Sequence, residues 1–308
     1  MKINNSLSFK NLLPHLIAVL VFFLVSLIFF APSILGNKQL SQHDIVQSKG
    51  VSHQSEAYEE ESGEESLWLN STFSGMPAYL NGVAYPNPIV TTAHFIIRLG
   101  LTGPAGIMVI SGISFYILLL TFRVNPWIAT IGGAVFALNG FTIISYMAGH
   151  NLKALAVSLM PLVLAGIHLT FTKNKWLGFL LTTLALSLEL YANHLQITYY
   201  LVMIVAAYGI YQLYIAIKDK AINDFLIKAG ILVGAAVLSL GLNFGKIYTL
   251  YEYSKYSTRG PAELTSADEG NGLDRDYVFH YSNGIFEPIV LFIPNFFGGS
   301  STEELSKN

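Results

Sequence analysis

The chain has no cysteine in its 308 residues. That removes a disulfide framework, thiolate chemistry, and cysteine-based zinc or iron–sulfur sites. Charge is also scarce: Asp, Glu, Lys and Arg make up 12% of residues, about half of what soluble domains carry. Nothing in the sequence forms the basic patch that a nucleic-acid partner would need. A P-loop, an HExxH and a GxSxG are all missing. The Gly270-Asn271-Gly272 stretch lies in a loop and is no dinucleotide fingerprint. There is no repeat at a fixed period and no low-complexity tract.

What is abundant is apolar sequence. Hydrophobic residues account for 53%, and the mean hydropathy is +0.51. A chain this apolar, with runs near the ~20 residues a bilayer requires, reads as an all-α polytopic membrane protein. The first run, residues 12–35, is longer than a signal-peptide core and lacks a small-x-small cleavage site at Phe30-Ala31-Pro32-Ser33. It is therefore expected to be an uncleaved span. Further spans are predicted over about 103–122, 127–147, 152–171, 176–193, 196–216 and 225–247. Residues 88–101 are apolar but interrupted by His94 and Arg98, as in an interfacial or re-entrant helix. The run from Ile285 to Phe297 is too short to cross alone. About seven to eight transmembrane helices follow, in four regions: 1–36, the N-terminus and first span; 37–101, a large polar loop with the interfacial helix; 102–247, a helix bundle; and 248–308, a second loop with a partial membrane segment.

Charge gives an orientation. Lys2 and Lys10 precede the first span. Arg123, Lys173, Lys175, Lys218, Lys220 and Lys228 lie in or beside the loops on that same side. The positive-inside rule then makes the N-terminus cytoplasmic. The acidic loop with Glu56, Glu59, Glu60, Glu61, Glu64 and Glu65 falls outside.

The residues able to do chemistry gather at the outer ends of the spans. His43 and Asp44 follow the first span. His150, Asn151 and Lys153 follow the third, and Glu189, Asn193, His194 and Gln196 surround the next outer connection. Glu252, Lys255 and Arg259 lie in the last loop. Asp44 can act as a general base or hold a divalent cation through oxygen. It can equally cap a helix running from Ile45 onward. Lys153 opposes a helix dipole, so it should snorkel or meet an anion such as phosphate. Arg259 can grip phosphate or carboxylate bidentately, or pair with Asp274 or Asp276. Glu189 lies in an apolar span, about one turn from its outer end, close enough to reach water. Trp68, Phe73, Tyr79 and Tyr85 form an aromatic stretch that serves either as a membrane belt or as a stacking platform for sugars.

Gln42-His43-Asp44, the run from Leu67 through Trp68 and Gly75-Met76-Pro77 to Tyr79, Tyr253-Ser254 through Arg259-Gly260, and Ile293-Pro294-Asn295-Phe296-Phe297-Gly298-Gly299 together resemble the YfhO-like bacterial membrane protein family, in its Bacteroidetes-type form. The likeness runs in order along nearly the whole chain. It implies a GT-C-like fold, whose members take a sugar from a polyprenyl-phosphate carrier at the outer face of the bacterial cytoplasmic membrane. It implies hexosyl transfer to a cell-envelope polymer acceptor. It places the essential acid at Asp44, and it admits a divalent cation, Mg²⁺ or Mn²⁺, held there. His150, Lys153, Arg259 and Trp68 become the expected substrate-binding residues. Family members run longer, with more spans and an outer C-terminal region, so the chain is expected to be a truncated form. Two other readings stay open. One is a transporter or flippase for a lipid-linked or anionic solute, toward which Asn139-Gly140 and Asn243 within spans point. The other is a noncatalytic membrane scaffold.

Overall fold

A computed structural model describes residues 9–36, 38–80, 87–256, 275–280, 282, 284–291, 293 and 296. Residues up to Thr249 form one unit and those from Leu250 onward a second. The first unit carries the bundle. In chain order it contains α1 (Phe9–Phe29), the single turn α2 (Ala31–Ile34) and α3 (His43–Ser62). The two-residue strands β1 (Trp68–Leu69) and β2 (Met76–Pro77) follow, then a 3-10 turn at Ala78–Leu80. Next come α4 (Pro88–Ile97), α5 (Gly103–Thr121), α6 (Pro126–Ala137), α7 (Gly140–Ala148), α8 (Asn151–Thr172), α9 (Lys175–Tyr191), α10 (Leu195–Lys218) and α11 (Ile222–Leu242), and α12 (Phe244–Ser254) begins in this unit and ends in the second. In the second unit the described elements are α13 (Arg275–His280) and a 3-10 turn at Glu287–Leu291, with Ile285 and Phe286 exposed before it.

Among the described residues, six helices are long and apolar enough to cross a membrane: α1, α5, α6 with α7, α8, α10 and α11. The chain is an all-α polytopic membrane protein. Helix α9, at 17 residues, would rise about 26 Å, the lower limit for a span. Asparagine sets where several helices begin. The side-chain oxygens of Asn87, Asn125, Asn139 and Asn174 each accept a backbone N–H two or three residues on, at 2.9 to 3.2 Å. Proline follows directly in α4 and α6, where its missing N–H costs nothing. The segment expected to be one span over 127–147 is two helices. Asn139 accepts the N–H of Thr142, in the first turn of α7, and its amide donates to the Phe136 carbonyl, so one side chain satisfies a backbone group on each side of the break.

Small residues bring the helices together. Gly166 and Thr170 on α8 meet Gly178 and Thr182 on α9; a Cβ on Gly166 would lie 2.5 Å from the Thr182 hydroxyl oxygen. This small-xxx-small contact lets backbones approach where lipid offers no hydrophobic drive. Phe22 of α1 wedges between Gly112 of α5 and Gly133 of α6, at places where a Cβ would come within 2.8 Å of its ring. Ser26 of α1 donates to the Ala105 carbonyl at 2.7 Å, so α1 is built into the bundle. Helices α10 and α11 keep most of their apolar side chains exposed, including Val202, Ile210, Val233 and Val237. Such faces suit lipid.

The bundle has two chemically different ends. At one, the turns α5–α6, α8–α9 and α10–α11 carry the basic residues. Lys228 there pairs with Asp224 at 2.6 Å and donates to the Phe171 carbonyl at 2.9 Å. At the other end, α3 departs from the bundle. The sequence read residues 37–86 as loop, yet 20 of them form α3, closed by Gly63 in the left-handed region. This helix has no apolar stripe, and its residues between Glu56 and Glu61 are exposed, which is why periodicity did not reveal it.

Candidate functional site

Helix α3 starts at His43, two residues earlier than expected, and Gln42 occupies the capping position. Asp44 is in the first turn, where the helix dipole favours its charge. Its side chain does not cap the helix. Instead Asp44 Oδ2 lies 2.7 Å from His150 Nε2, with both side chains about half exposed, 46% and 48%. Asp44 Oδ1 has no hydrogen-bond partner among the described residues. Two residues from distant parts of the chain thus form one exposed carboxylate–imidazole pair.

The pair is positioned from beneath. Gln42 is buried and donates to the Tyr146 carbonyl at 2.6 Å and to Asn151 Oδ1 at 2.9 Å. Asn151 Nδ2 returns a bond to Gln42 Oε1 at 3.3 Å. These contacts fasten the N-terminus of α3 to the α7–α8 corner. That corner turns at Gly149, whose φ of +95° is left-handed. The His150 amide then donates to the Ser145 carbonyl at 2.9 Å, closing α7 in the manner of a Schellman end. Gly149 also lies against Asp44: a Cβ there would come 3.2 Å from Asp44 Cβ and from the Ile45 nitrogen. Below, Tyr146 is buried with its ring edge-on to Phe30 of α2's leading turn, at 5.8 Å between centroids.

Lys153 and His194 complete the neighbourhood. Lys153 neither reaches freely for solvent nor lies against a carboxylate; its Nζ sits over the Phe141 ring, 5.1 Å from the centroid. That contact offsets some of the penalty of a cation at a helix start. His194, in the α9–α10 turn, is held below the usual imidazole pKa. Burial is the main cause, and the charges of Lys153 and His150 add to it. Its Nδ1 is buried with no hydrogen-bond partner among the described residues, as is Asn193 Oδ1 beside it. His43 bonds Gln47 of its own helix at 2.9 Å.

Glu189 does not reach water. It is fully buried, and the Thr198 hydroxyl donates to its carboxylate at 2.9 Å. One turn from a helix end is not enough for exposure here, because α10 covers that face of α9. A further polar group occupies α4. His94 lies edge-on to Tyr191 at 5.6 Å, and burial, with the Arg98 charge second, pushes its pKa down to about 4. Lys246 of α12 lies over the same Tyr191 ring at 5.6 Å.

Trp68 is not brought to Asp44. It stands beside the later turns of α3 and lines an open cavity of about 240 Å³ with Val51, Ser55 and Tyr58. Arg259 lies outside the described residues. No group of three or more His, Asp or Glu side chains converges as a metal site among the described residues. Asp44 with one imidazole neighbour still fits the way Mg²⁺ is often held, by one carboxylate plus substrate phosphates and water. Gln42 and Gly149 carry much of this geometry; the sequence offered Gln42 only as a neighbour of Asp44 and gave no sign of Gly149. No family model, curated protein or solved structure matches the chain.

Proposed function

We propose that the chain is a membrane glycosyltransferase of GT-C-like kind, related to the YfhO-like proteins. It would move a hexosyl group from a polyprenyl-phosphate donor to a cell-envelope acceptor at the outer face of a bacterial cytoplasmic membrane. The observation that carries this reading is the Asp44–His150 pair, exposed at the end of the bundle opposite the basic turns. The basic turns support a cytoplasmic N-terminus by the positive-inside rule.

In this reading His150 Nε2–H donates to Asp44 Oδ2 and fixes the carboxylate. Oδ1 is left to accept the proton of the acceptor hydroxyl. The hydroxyl oxygen bonds to the anomeric carbon as the bond from that carbon to the phosphate oxygen breaks. The polyprenyl phosphate departs with the electron pair, and Lys153 balances its charge. A bound Mg²⁺ or Mn²⁺ at Asp44 would supply further neutralisation of the phosphate.

The test is transfer by the full chain in lipid vesicles, from a radiolabelled polyprenyl-phosphate hexose. Asp44→Asn should slow transfer at least about 100-fold, in keeping with loss of a general base. Undiminished transfer by that variant would remove the proposal. A second reading, a transporter or flippase, is favoured by the helix break at Asn139 within a span. It predicts movement of the lipid-linked donor across vesicles with no cleavage of the donor.

A further inference from the structure

The cavity beside Trp68 has a chemistry of its own. One wall is the face of α3, through Val51, Gln54, Ser55 and Tyr58; the other is the segment from Ser66 to Ser71. The indole is held in place from behind. Gly75 has a φ of +117°, and a Cβ on it would fall 2.7 Å from the Trp68 ring. The antiparallel pairing of Trp68 with Pro77 and Leu69 with Met76 fixes that turn. Ser71 Oγ donates to the Val51 carbonyl at 2.8 Å and ties the two walls together. The Gln54 and Asn70 amides and the Tyr58 hydroxyl, by contrast, have no hydrogen-bond partner among the described residues. An aromatic plate, two free amides and a phenol form a surface for a neutral polyol ring. The amides supply both donors and acceptors, and the ring plate supplies an apolar face.

Charge narrows the ligand. Glu56, Glu59, Glu60 and Glu61 lie on the same turns of α3 as the cavity residues Ser55 and Tyr58, Glu64 and Glu65 lie just before Ser66, all six are exposed, and there is no Lys or Arg between Gly50 and Ile97. An anionic ligand would be repelled. Position narrows it further. Asp44, Val51, Ser55 and Tyr58 are spaced by seven, four and three residues, so they share one face of α3. The cavity begins about 10 Å from Asp44 along the axis and ends about 21 Å away. A single sugar unit cannot touch both places, whereas a chain of several can.

We propose that the acceptor is an extended, neutral glycan lying along this face of α3, with its growing end at Asp44 and a distal unit in the Trp68 cavity. The proposal rests on the glycosyl-transfer reading for the role of the ligand but not for its binding.

Trp68 itself is the reporter. The other two tryptophans, Trp127 and Trp176, start α6 and α9 at the basic end. A Trp127→Phe, Trp176→Phe chain in vesicles therefore has one indole, in the cavity. The probes are cellotetraose, maltotetraose, chitotetraose, tetragalacturonate and glucose. At least one neutral tetrasaccharide should change Trp68 emission saturably, and glucose should bind about tenfold more weakly or worse. Tetragalacturonate should have no effect. Gln54→Ala with Asn70→Ala should abolish the change while leaving the emission of the free protein and its melting temperature unaltered. The proposal falls if none of the three neutral tetrasaccharides acts, if tetragalacturonate acts equally, or if the double variant still binds. Asp44→Asn separates the two claims. Binding kept with transfer lost supports both. Binding absent while the unaltered chain transfers sinks the cavity alone. Binding present while Asp44→Asn still transfers sinks the catalytic reading alone.

Discussion

Replacing Gly149 by alanine perturbs the site at its narrowest point. The residue has a φ of +95°, and its absent Cβ would lie 3.2 Å from Asp44 Cβ and 3.4 Å from the Asp44 nitrogen. Two costs follow. The left-handed conformation costs an L-residue about 1–2 kcal/mol. Separately, the start of α3 must give by a few tenths of an ångström, which lengthens the 2.7 Å Asp44–His150 contact. Gly63 is the matched control. It ends α3 with a φ of +73°, and a Cβ there would meet nothing within 4 Å. Gly63→Ala therefore incurs the backbone cost without the crowding. Thermal unfolding in detergent should show both variants destabilised, Gly149→Ala by about 1 kcal/mol more, the range expected for mild overpacking. On the glycosyl-transfer proposal, Gly149→Ala in vesicles should slow sugar transfer about tenfold, because small misplacements of catalytic groups are costly, and Gly63→Ala should not. Equal melting temperatures and equal transfer rates for the two variants would refute the claim that Gly149 positions Asp44.

Other outcomes follow from the bundle. Phe22→Ala empties the wedge between Gly112 and Gly133 and should cost about 3–5 kcal/mol, read from the melting temperature in detergent. Gly166→Leu inserts a side chain where the α8–α9 backbones touch, so the fold should be lost or separated there; a cysteine pair introduced across the contact should no longer cross-link. His94 gives a pH dependence. Its pKa is lowered in the fold to about 4 from 6.5, so the folded state holds it neutral. Its contribution to stability is present above pH 6.5 and is lost as pH falls from there toward 4. His94→Gln should flatten the melting-temperature profile in that window, and an unchanged slope would show that another group is responsible.

Much of the architecture was legible along the chain. Apolar runs of bilayer length gave the spans, and α5, α8 and α10 begin and end within about two residues of the expected positions. Basic turns distinguished one end of the bundle from the other. These features depend on composition over a short window, so sequence displays them directly. Of helix α3 only the start was legible, as the stretch from Ile45 that Asp44 could cap; its full length was not, because a helix without an apolar stripe has no periodic pattern to read. The break at Asn139 was visible only as a polar residue in a span; its meaning depends on the amide bond to Phe136 and the cap on α7.

The candidate site divides in the same way. Sequence alone nominated the residues that could do chemistry and predicted that they gather at one end of the spans, because topology and charge bias are properties of order and composition. Only the tertiary structure decided which of them meet. It joined Asp44 to His150, placed Trp68 farther along α3, and buried Glu189 under Thr198. The physical reason is that these pairings rest on single close contacts between remote segments. Gln42 and Asn151 bond each other 109 residues apart, and the absent side chain of Gly149 admits the start of α3 beside His150.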